Sequence, residues 1–269
     1  MPELPEVETI VRRLRVPLLG RRFVQVRITW PPMARPSADV INLRLPGQAV
    51  TAVARRGKYI VMPLSGGDTL LVHLKMTGDL RVVAPGEASH RHDRVVFDLD
   101  DGQQLRFNDP RKFGRIYLTQ DPASIVGQLG PEPLDEAFDE TSFAERLGRR
   151  SGRIKAVLTD QTFIAGIGNI YADEALFLAG IHPLRRAAEL TEQEKRQLYR
   201  VIRQVLSAAL AHEGSSLRDE AYRGGRFQEL VQVYGRSGQA CRVCGSPIQR
   251  VRLGQRSTHF CPVCQRDAR

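Results

Sequence analysis

The residues with the most definite chemistry in this chain of 269 residues are its four cysteines. Cys241, Cys244, Cys261 and Cys264 form two C-x-x-C pairs separated by sixteen residues. A C-x-x-C turn delivers two thiolates from one tight knuckle, and two knuckles complete a tetrahedral site. The spacing predicts one structural Zn2+, since four protein thiolates leave no open coordination position. A redox C-x-x-C or an incidental disulfide pair is the alternative. The binding free energy of such modules, on the order of 10 kcal/mol, folds a tail too small for its own core. Between the pairs, RVRLGQRSTHF reads as a hairpin with Arg256 at its tip, a probe suited to a phosphate or a DNA groove. The G-x-G of AGIGNIYADEA lacks a third glycine and follows no strand, so no organic cofactor is expected.

At the other end the chain opens MPELPEVETI, with two prolines and three glutamates in its first eight residues. Carboxylates at a helix start are electrostatically ordinary. The alternative is that the terminus is itself a reagent. Of the 40 basic residues only five are lysine: Lys58, Lys75, Lys112, Lys155 and Lys195. Arginine holds an anion but rarely shuttles a proton. A titratable amine must therefore come from those five positions or from the terminus.

Net charge is +10, and its placement matters more than its size. From Arg218 to Arg269 ten arginines face four acids, and RRSGRIK (Arg149 to Lys155) is a second basic patch. Clustered arginine favours a nucleic acid partner. FNDPRKFG sets Asn108, Asp109, Arg111, Lys112 and Phe113 around a proline turn; it reads as a cationic and stacking contact or as an ordinary hairpin turn. A glycine turn feeds a helix start at Asn169, which could take one phosphate or serve as a cap. Met76 alone reads as core, and His92 as a surface histidine, a ligand or a phosphate contact.

These groups need elements to hold them. Val7, Ile10, Val11 and Leu14 predict a helix over Pro5 to Val16. From Arg22 to Leu118, runs such as FVQVRI, YIVMPL, TLLVHL and RVVFDL alternate with turn signals, which predicts a sandwich or barrel of short antiparallel strands. Beyond LGPEPL the texture is helical. In LTEQEKRQLYRVIRQVLSAALAHEG, Thr191 and Glu194 form a capping box and Leu198, Val201, Ile202 and Val205 a buried stripe. DEAYRGGRFQE reads as a flexible loop. The expected division is residues 1–130, β-rich; 131–232, helical; and 233–269, metal-stapled. The longest uncharged stretch, Gln161 to Ala172, falls far short of the roughly 20 apolar residues of a membrane span. No basic segment precedes an apolar core near the start, so a cytoplasmic protein is expected.

Together MPELPEVET, RRGKYI, LVHLKMTG, FNDPRKFG, LGPEPL, IKAVLTDQTFIAGIGNIYADEAL, QVYGR and GQRSTHFC resemble bacterial formamidopyrimidine-DNA glycosylases, in the family's order over nearly the whole chain. The resemblance implies an α+β multidomain protein: an N-terminal β-sandwich with a flanking helix, a helix–two-turn–helix domain and a C-terminal zinc-finger β-hairpin. It implies damaged double-stranded DNA as partner, a monomer in the bacterial nucleoid, and excision of oxidised purines with strand cleavage. With Met1 removed, Pro2 would be the nucleophile, Glu3 the general acid and Glu6 a support. Lys58 and the zinc-finger Arg256 would assist elimination, Arg256 first by positioning phosphate. His92, Arg111, Lys155 and Asn169, with Arg153 as an extra, would contact DNA. Met76, Arg111 and Phe113 would fill the gap left by an everted nucleotide.

Two features depart from the family pattern. Lys75 stands where HLGMTG has glycine, and the loop after SSLRD is a few residues shorter. The rival readings are an endonuclease VIII-like glycosylase for oxidised pyrimidines and a non-catalytic zinc-finger DNA-binding protein. Leu4 and the Met76–Arg111–Phe113 set favour the purine branch.

Overall fold

The computed structural model describes residues 1–215 and 225–266. The chain forms two compact units: Met1–Gln128 with Glu213–Gly225, and Leu129–His212 with Arg226–Arg269. Of the loop expected in DEAYRGGRFQE, residues 219–224 lie outside the described residues, while Phe227–Glu229 form a 3-10 turn. Among the described residues no helix is long and apolar enough to cross a membrane.

The first unit begins with helix α1, Leu4–Leu18, slightly longer than its spacing predicts because Leu18 is itself buried. Pro5 sits in the first turn, where a missing N–H costs nothing. The predicted stripe Val7, Ile10, Val11 and Leu14 is buried. Nine strands follow: β1 Phe23–Ile28, β2 Ala34–Arg35, β3 Ala54–Arg56, β4 Tyr59–Pro63, β5 Thr69–His73, β6 Asp79–Val83, β7 Asp93–Leu99, β8 Gln104–Asn108 and β9 Arg115–Thr119. Helix α2, Ala38–Arg44, intervenes after β2, and a single turn, α3 Ala123–Val126, follows β9.

The strands make a four-stranded sheet in the order β1-β7-β8-β6 and a five-stranded sheet in the order β2-β9-β5-β4-β3. All pairings are antiparallel except β2 with β9, which is parallel, a departure from the uniformly antiparallel expectation. The even alternation of buried and half-buried residues in β4 and β9 is the period of a strand with one face on a core. Phe23, Phe97, Leu105 and Phe107 of one sheet join Ile60, Met62, Val72 and Ile116 of the other and the α1 stripe in one apolar cluster. Each such side chain contributes about 1.5–3 kcal/mol on burial.

The second unit holds helices α4 Glu140–Gly148, α5 Ile154–Leu158, α6 Asn169–Leu178 and α7 Glu192–Ala211, and the hairpin β10 Gln249–Leu253 with β11 Arg256–Phe260. The α7 start is the predicted capping box, with Glu194 N–H donating to Thr191 Oγ1 (3.2 Å) and Thr191 N–H to Glu194 Oε2 (2.8 Å). Leu198, Val201, Ile202 and Val205 are buried as expected. The turn between α5 and α6 is closed by one side chain: Gln161 Nε2 donates to Ile167 O (2.7 Å) while its Oε1 accepts from Gly166 N–H (3.0 Å). Gly166, at φ +85, supplies a conformation that other residues adopt at a cost.

Candidate functional site

In the first unit the start of α1 is built around a buried carboxylate. Pro2 is buried, Glu3 is 2% exposed and Glu6 is fully buried. Glu3 caps the helix in extended geometry, and its N–H donates to Glu6 Oε2 at 2.8 Å. The other oxygen of Glu6 accepts from Ser215 N–H at 2.7 Å. Gly214 lies against this carboxylate: a Cβ there would meet Glu6 Oε1 at 2.7 Å, and its φ is +80. A Cβ on Gly225 would in turn meet Gly214 O at 2.1 Å. One glutamate thus fixes the peptide next to Pro2 and the chain around Ser215.

Lys58 sits in the two-residue turn Gly57–Lys58 between β3 and β4, with Gly57 at φ +54, the residue that two-residue hairpins favour there. Although at a hairpin tip, Lys58 is only 5% exposed. Arg55 links this turn to α1, donating to Glu8 Oε2 (3.0 Å) and to Gly57 O (3.1 Å). Beside it lies a residue that sequence reasoning missed. His73, at the end of β5, is 8% exposed, packs edge-on against Tyr59 with ring centroids 4.6 Å apart, and accepts Lys75 N–H on Nδ1 at 3.0 Å. Burial, followed by the charges of Lys75 and Lys58, lowers its pKa to about 3. It is therefore neutral at physiological pH, with Nδ1 accepting and Nε2 carrying the proton. Lys75 adopts φ +54. That left-handed geometry explains why a glycine is the expected residue at this position.

Met76 and Phe113 are 41% and 46% exposed, and Arg111 stacks over the Phe113 ring at 4.9 Å. The loops carrying them share one anchor. Asp109, fully buried, accepts from Thr77 Oγ1 (2.6 Å), Arg111 N–H (3.2 Å) and Gly114 N–H (2.7 Å). Its backbone N–H donates to His92 O at 2.9 Å. Met76, Arg111, Phe113 and His92 are thus brought to one region by a single residue, the first three through its carboxylate and His92 through its backbone N–H, whose only sequence signal is an Asp-Pro turn.

In the second unit Arg153 is exposed at the α5 N-cap. Lys155 is 1% exposed, and its ammonium pairs with Asp173 and donates to Asn169 O at 3.0 Å. Asp173 also accepts His259 N–H at 3.0 Å. Asn169 is the first residue of α6, and its Nδ2 donates to Ser257 O at 2.7 Å, while Oδ1 is buried with no partner among the described residues. Glu174 accepts from Gln232 N–H (2.7 Å), Val233 N–H (2.9 Å) and Tyr234 N–H (2.8 Å). Burial raises its pKa, and those three amides oppose the rise. Two adjacent acids of α6 hold the Cys-bearing segment at both ends; sequence reasoning missed both, because DE within a helix looks like solvated charge. Arg256 opens β11, just past the turn Gly254–Gln255, is exposed, and donates to Thr159 O at 3.4 Å.

The four cysteines converge. All their Sγ atoms lie within 4.8 Å of one another, with Cys241 to Cys264 at 3.9 Å and Cys244 to Cys261 at 3.4 Å. A tetrahedron with Zn–S bonds of about 2.3 Å has S···S edges of about 3.8 Å, inside the range these sulfurs span, so the donor set fits zinc with shifts of about 1 Å or less. Backbone N–H groups of Val243 and Cys264 point at the sulfurs of Cys241 and Cys261 (3.5 and 3.4 Å). Burial first, then the neighbouring thiols, push the Cys264 thiol above its usual range. Thiols crowded this way ionise together only around a cation.

Comparison with known proteins then accounts for the arrangement. Residues 1–116 match the formamidopyrimidine-DNA glycosylase N-terminal domain, 129–221 the formamidopyrimidine-DNA glycosylase H2TH domain, and 238–266 the zinc finger found in FPG and IleRS. The formamidopyrimidine-DNA glycosylase of Herpetosiphon aurantiacus is 47% identical over 98% of this chain and 100% of its own, and that of Chloroflexus aurantiacus 46% over 98% of each. The chain belongs to the formamidopyrimidine-DNA glycosylase family.

Solved members of that glycosylase family have the same fold. A Lactococcus lactis FPG mutant in complex with DNA containing Fapy-dG matches with a TM-score of 0.92 and 37% identity over 99% of this chain and 100% of that one. The MutM (FPG) protein of Thermus thermophilus matches at 0.90 and 43% identity over 100% of each. The expected mixed architecture, with its β-sheet, helical and zinc-finger parts, is the glycosylase fold observed here. The four-cysteine cluster is its zinc finger, with Cys241, Cys244, Cys261 and Cys264 to hold one structural zinc.

Proposed function

We propose that this chain excises oxidised purines such as 8-oxoguanine and formamidopyrimidines from damaged duplex DNA, with Pro2 as nucleophile. The observation that carries the reading is the buried Pro2–Glu3 pair, whose intervening peptide N–H is pinned by the buried Glu6 carboxylate, in a chain of this glycosylase family.

With Met1 removed, the Pro2 nitrogen is an α-amine that titrates near 8, so a useful fraction is unprotonated at neutral pH. Its lone pair attacks the anomeric carbon of the lesion nucleotide, forming a C–N bond as the base departs with the electrons of the glycosidic bond. Glu3 supplies a proton at the sugar. The Pro2 nitrogen sheds its proton, the C1′–O4′ bond breaks as the ring oxygen takes the Glu3 proton, and the nitrogen lone pair forms a cationic iminium, an electron sink that acidifies the neighbouring sugar proton and allows β,δ-elimination of the flanking phosphates. Lys58 donates the proton associated with elimination. Zinc contributes no step; when bound, it holds the β10–β11 hairpin that carries Arg256.

His92, Arg111, Arg153, Asn169 and Arg256 hold DNA phosphates, and Met76, Arg111 and Phe113 fill the space vacated by the everted nucleotide. Unstacking costs a few kcal/mol, which such plugs offset. Lys155 serves the same end indirectly, since its buried pair with Asp173 fixes the Asn169 helix start. The three stretches 1–130, 131–232 and 233–269 act as catalytic, helical DNA-binding and zinc-finger parts of a monomer working on nucleoid DNA in the cytoplasm.

The test is borohydride trapping on an abasic duplex, with mass spectrometry of the attached peptide. Attachment at Pro2, lost in Pro2→Gly, is expected. A cross-link undiminished in Pro2→Gly would refute the nucleophile. Faster excision of thymine glycol than of 8-oxoguanine opposite cytosine would move the chain to the pyrimidine branch.

A further inference from the structure

A cavity of about 620 Å³ lies on the outer face of the four-stranded sheet, walled by Arg27, Arg91, Arg94, Arg106, His90 and Asp93, among others. It contains none of the residues assigned above. Its charges divide into two groups. Arg106 is 4% exposed, 3.5 Å from Asp93, and donates to the carbonyls of Ala88 (2.8 Å) and Glu87 (2.6 Å). Arg27 pairs with Asp98 (2.9 Å), and Glu87 lies 3.5 Å from Arg81. These groups are neutralised within the fold.

Arg91 and Arg94 are not. Among the described residues neither has a carboxylate at ion-pair distance. Arg94 donates to Asp109 O (3.0 Å) and Arg91 O (3.3 Å), and its Nη2 lies 3.0 Å from His92 Nδ1. Arg91 Nε lies 3.1 Å from His92 Nε2. An imidazole offers at most one bare ring nitrogen, so at least one of these guanidinium N–H groups meets an N–H. His90 adds a further donor: its Nδ1 is taken by Asn108 Nδ2 (2.9 Å) and His92 N–H (3.3 Å), leaving Nε2–H directed elsewhere. Two uncompensated guanidiniums, a donor conflict and an imidazole N–H around one cavity make a site short of an acceptor. An anion that accepts several hydrogen bonds at once gives these guanidiniums and the imidazole a common acceptor, to which a guanidinium displaced from His92 can turn.

We propose that this cavity is a phosphate site, held by Arg91, Arg94 and His90, that takes a backbone phosphate of duplex DNA beyond the lesion. The source of the phosphate rests on the DNA-binding reading above; the phosphate chemistry does not.

The test is equilibrium binding of an undamaged duplex, which needs no excision, over a salt series. Each phosphate that the protein ceases to neutralise lowers the slope of log K against log[salt] by about 0.9. Arg91→Gln is expected to lose about that much, Arg91→Lys to retain the wild-type slope, and the exposed Arg12→Gln on α1 to match wild type. Equal slopes for wild type and Arg91→Gln, or an equal loss in the Gln and Lys variants, overturn the DNA contact. A flat slope in wild type would instead sink the DNA-binding reading itself. In a second arm, inorganic phosphate at constant ionic strength should raise the melting temperature of wild type and not of Arg91→Gln. A rise without the slope change makes free phosphate the occupant and overturns the DNA source. Neither effect overturns the site.

Discussion

Glu6→Gln tests the reasoning about the nucleophile most directly. The carboxylate accepts two backbone N–H groups, from Glu3 at 2.8 Å and from Ser215 at 2.7 Å, while fully buried. Glutamine keeps one acceptor oxygen, but its NH2 must face the other N–H. Losing a hydrogen bond to a charged group costs about 1.5–3 kcal/mol, and a buried donor left unsatisfied adds about 1–3. A net loss of about 3 kcal/mol follows if the site relaxes in part. Carried wholly by alignment of Pro2, that loss is roughly a 150-fold slower attack. Single-turnover borohydride trapping on a preformed abasic duplex reads attack without base release, and thermal unfolding measured alongside shows how much of the loss falls on the fold. Gly214→Ala should mimic it, since its Cβ would lie 2.7 Å from Glu6 Oε1 at φ +80. A Glu6→Gln enzyme that traps within about threefold of wild type, with an unchanged melting temperature, refutes the proposed role of this carboxylate.

Asp79 is held up to about pH 6 by burial, so its folded pKa lies above the ordinary 3.8. A raised carboxylate pKa means stability lost as pH rises through about 6; Asp79→Asn should therefore stabilise the protein by up to about 3 kcal/mol at pH 8, with the gain gone below about pH 4, as urea titrations at both pH values would show. Chelation should release one zinc per chain by metal analysis and abolish ordered NMR signals from the hairpin, because about 10 kcal/mol of metal binding substitutes for a core there. Lys75→Gly should raise unfolding free energy by about 1 kcal/mol, by relieving a left-handed lysine; destabilisation would mean that the side chain's packing outweighs its backbone cost. Lys155→Met removes the ammonium paired with the buried Asp173 and leaves it His259 among the described residues. It should cost about 3–5 kcal/mol of stability yet leave the salt slope of DNA binding intact, whereas a slope lowered by about 0.9 would make Lys155 a direct phosphate contact.

The parts legible from sequence are those that depend on near neighbours. The stripe of α1, the strand alternation of β4 and β9, the capping box of α7 and the two thiol knuckles are set by spacings of two to four residues, which geometry converts directly into faces, caps and ligand pairs. The family's motifs lie in such stretches, so the fold class and the zinc were readable before any coordinate. Tertiary structure alone decided which acids act as anchors. Glu6 meets Ser215 across 209 positions, and Asp173 meets His259 across 86. No local pattern separates those carboxylates from solvated ones. It also decided that Lys155 is buried rather than offered to solvent, that Lys75 sits in a left-handed turn, and that His73 is neutral between two ammonium groups. A side chain's charge and exposure depend on what the rest of the chain packs around it, and that packing exists only once distant segments have met.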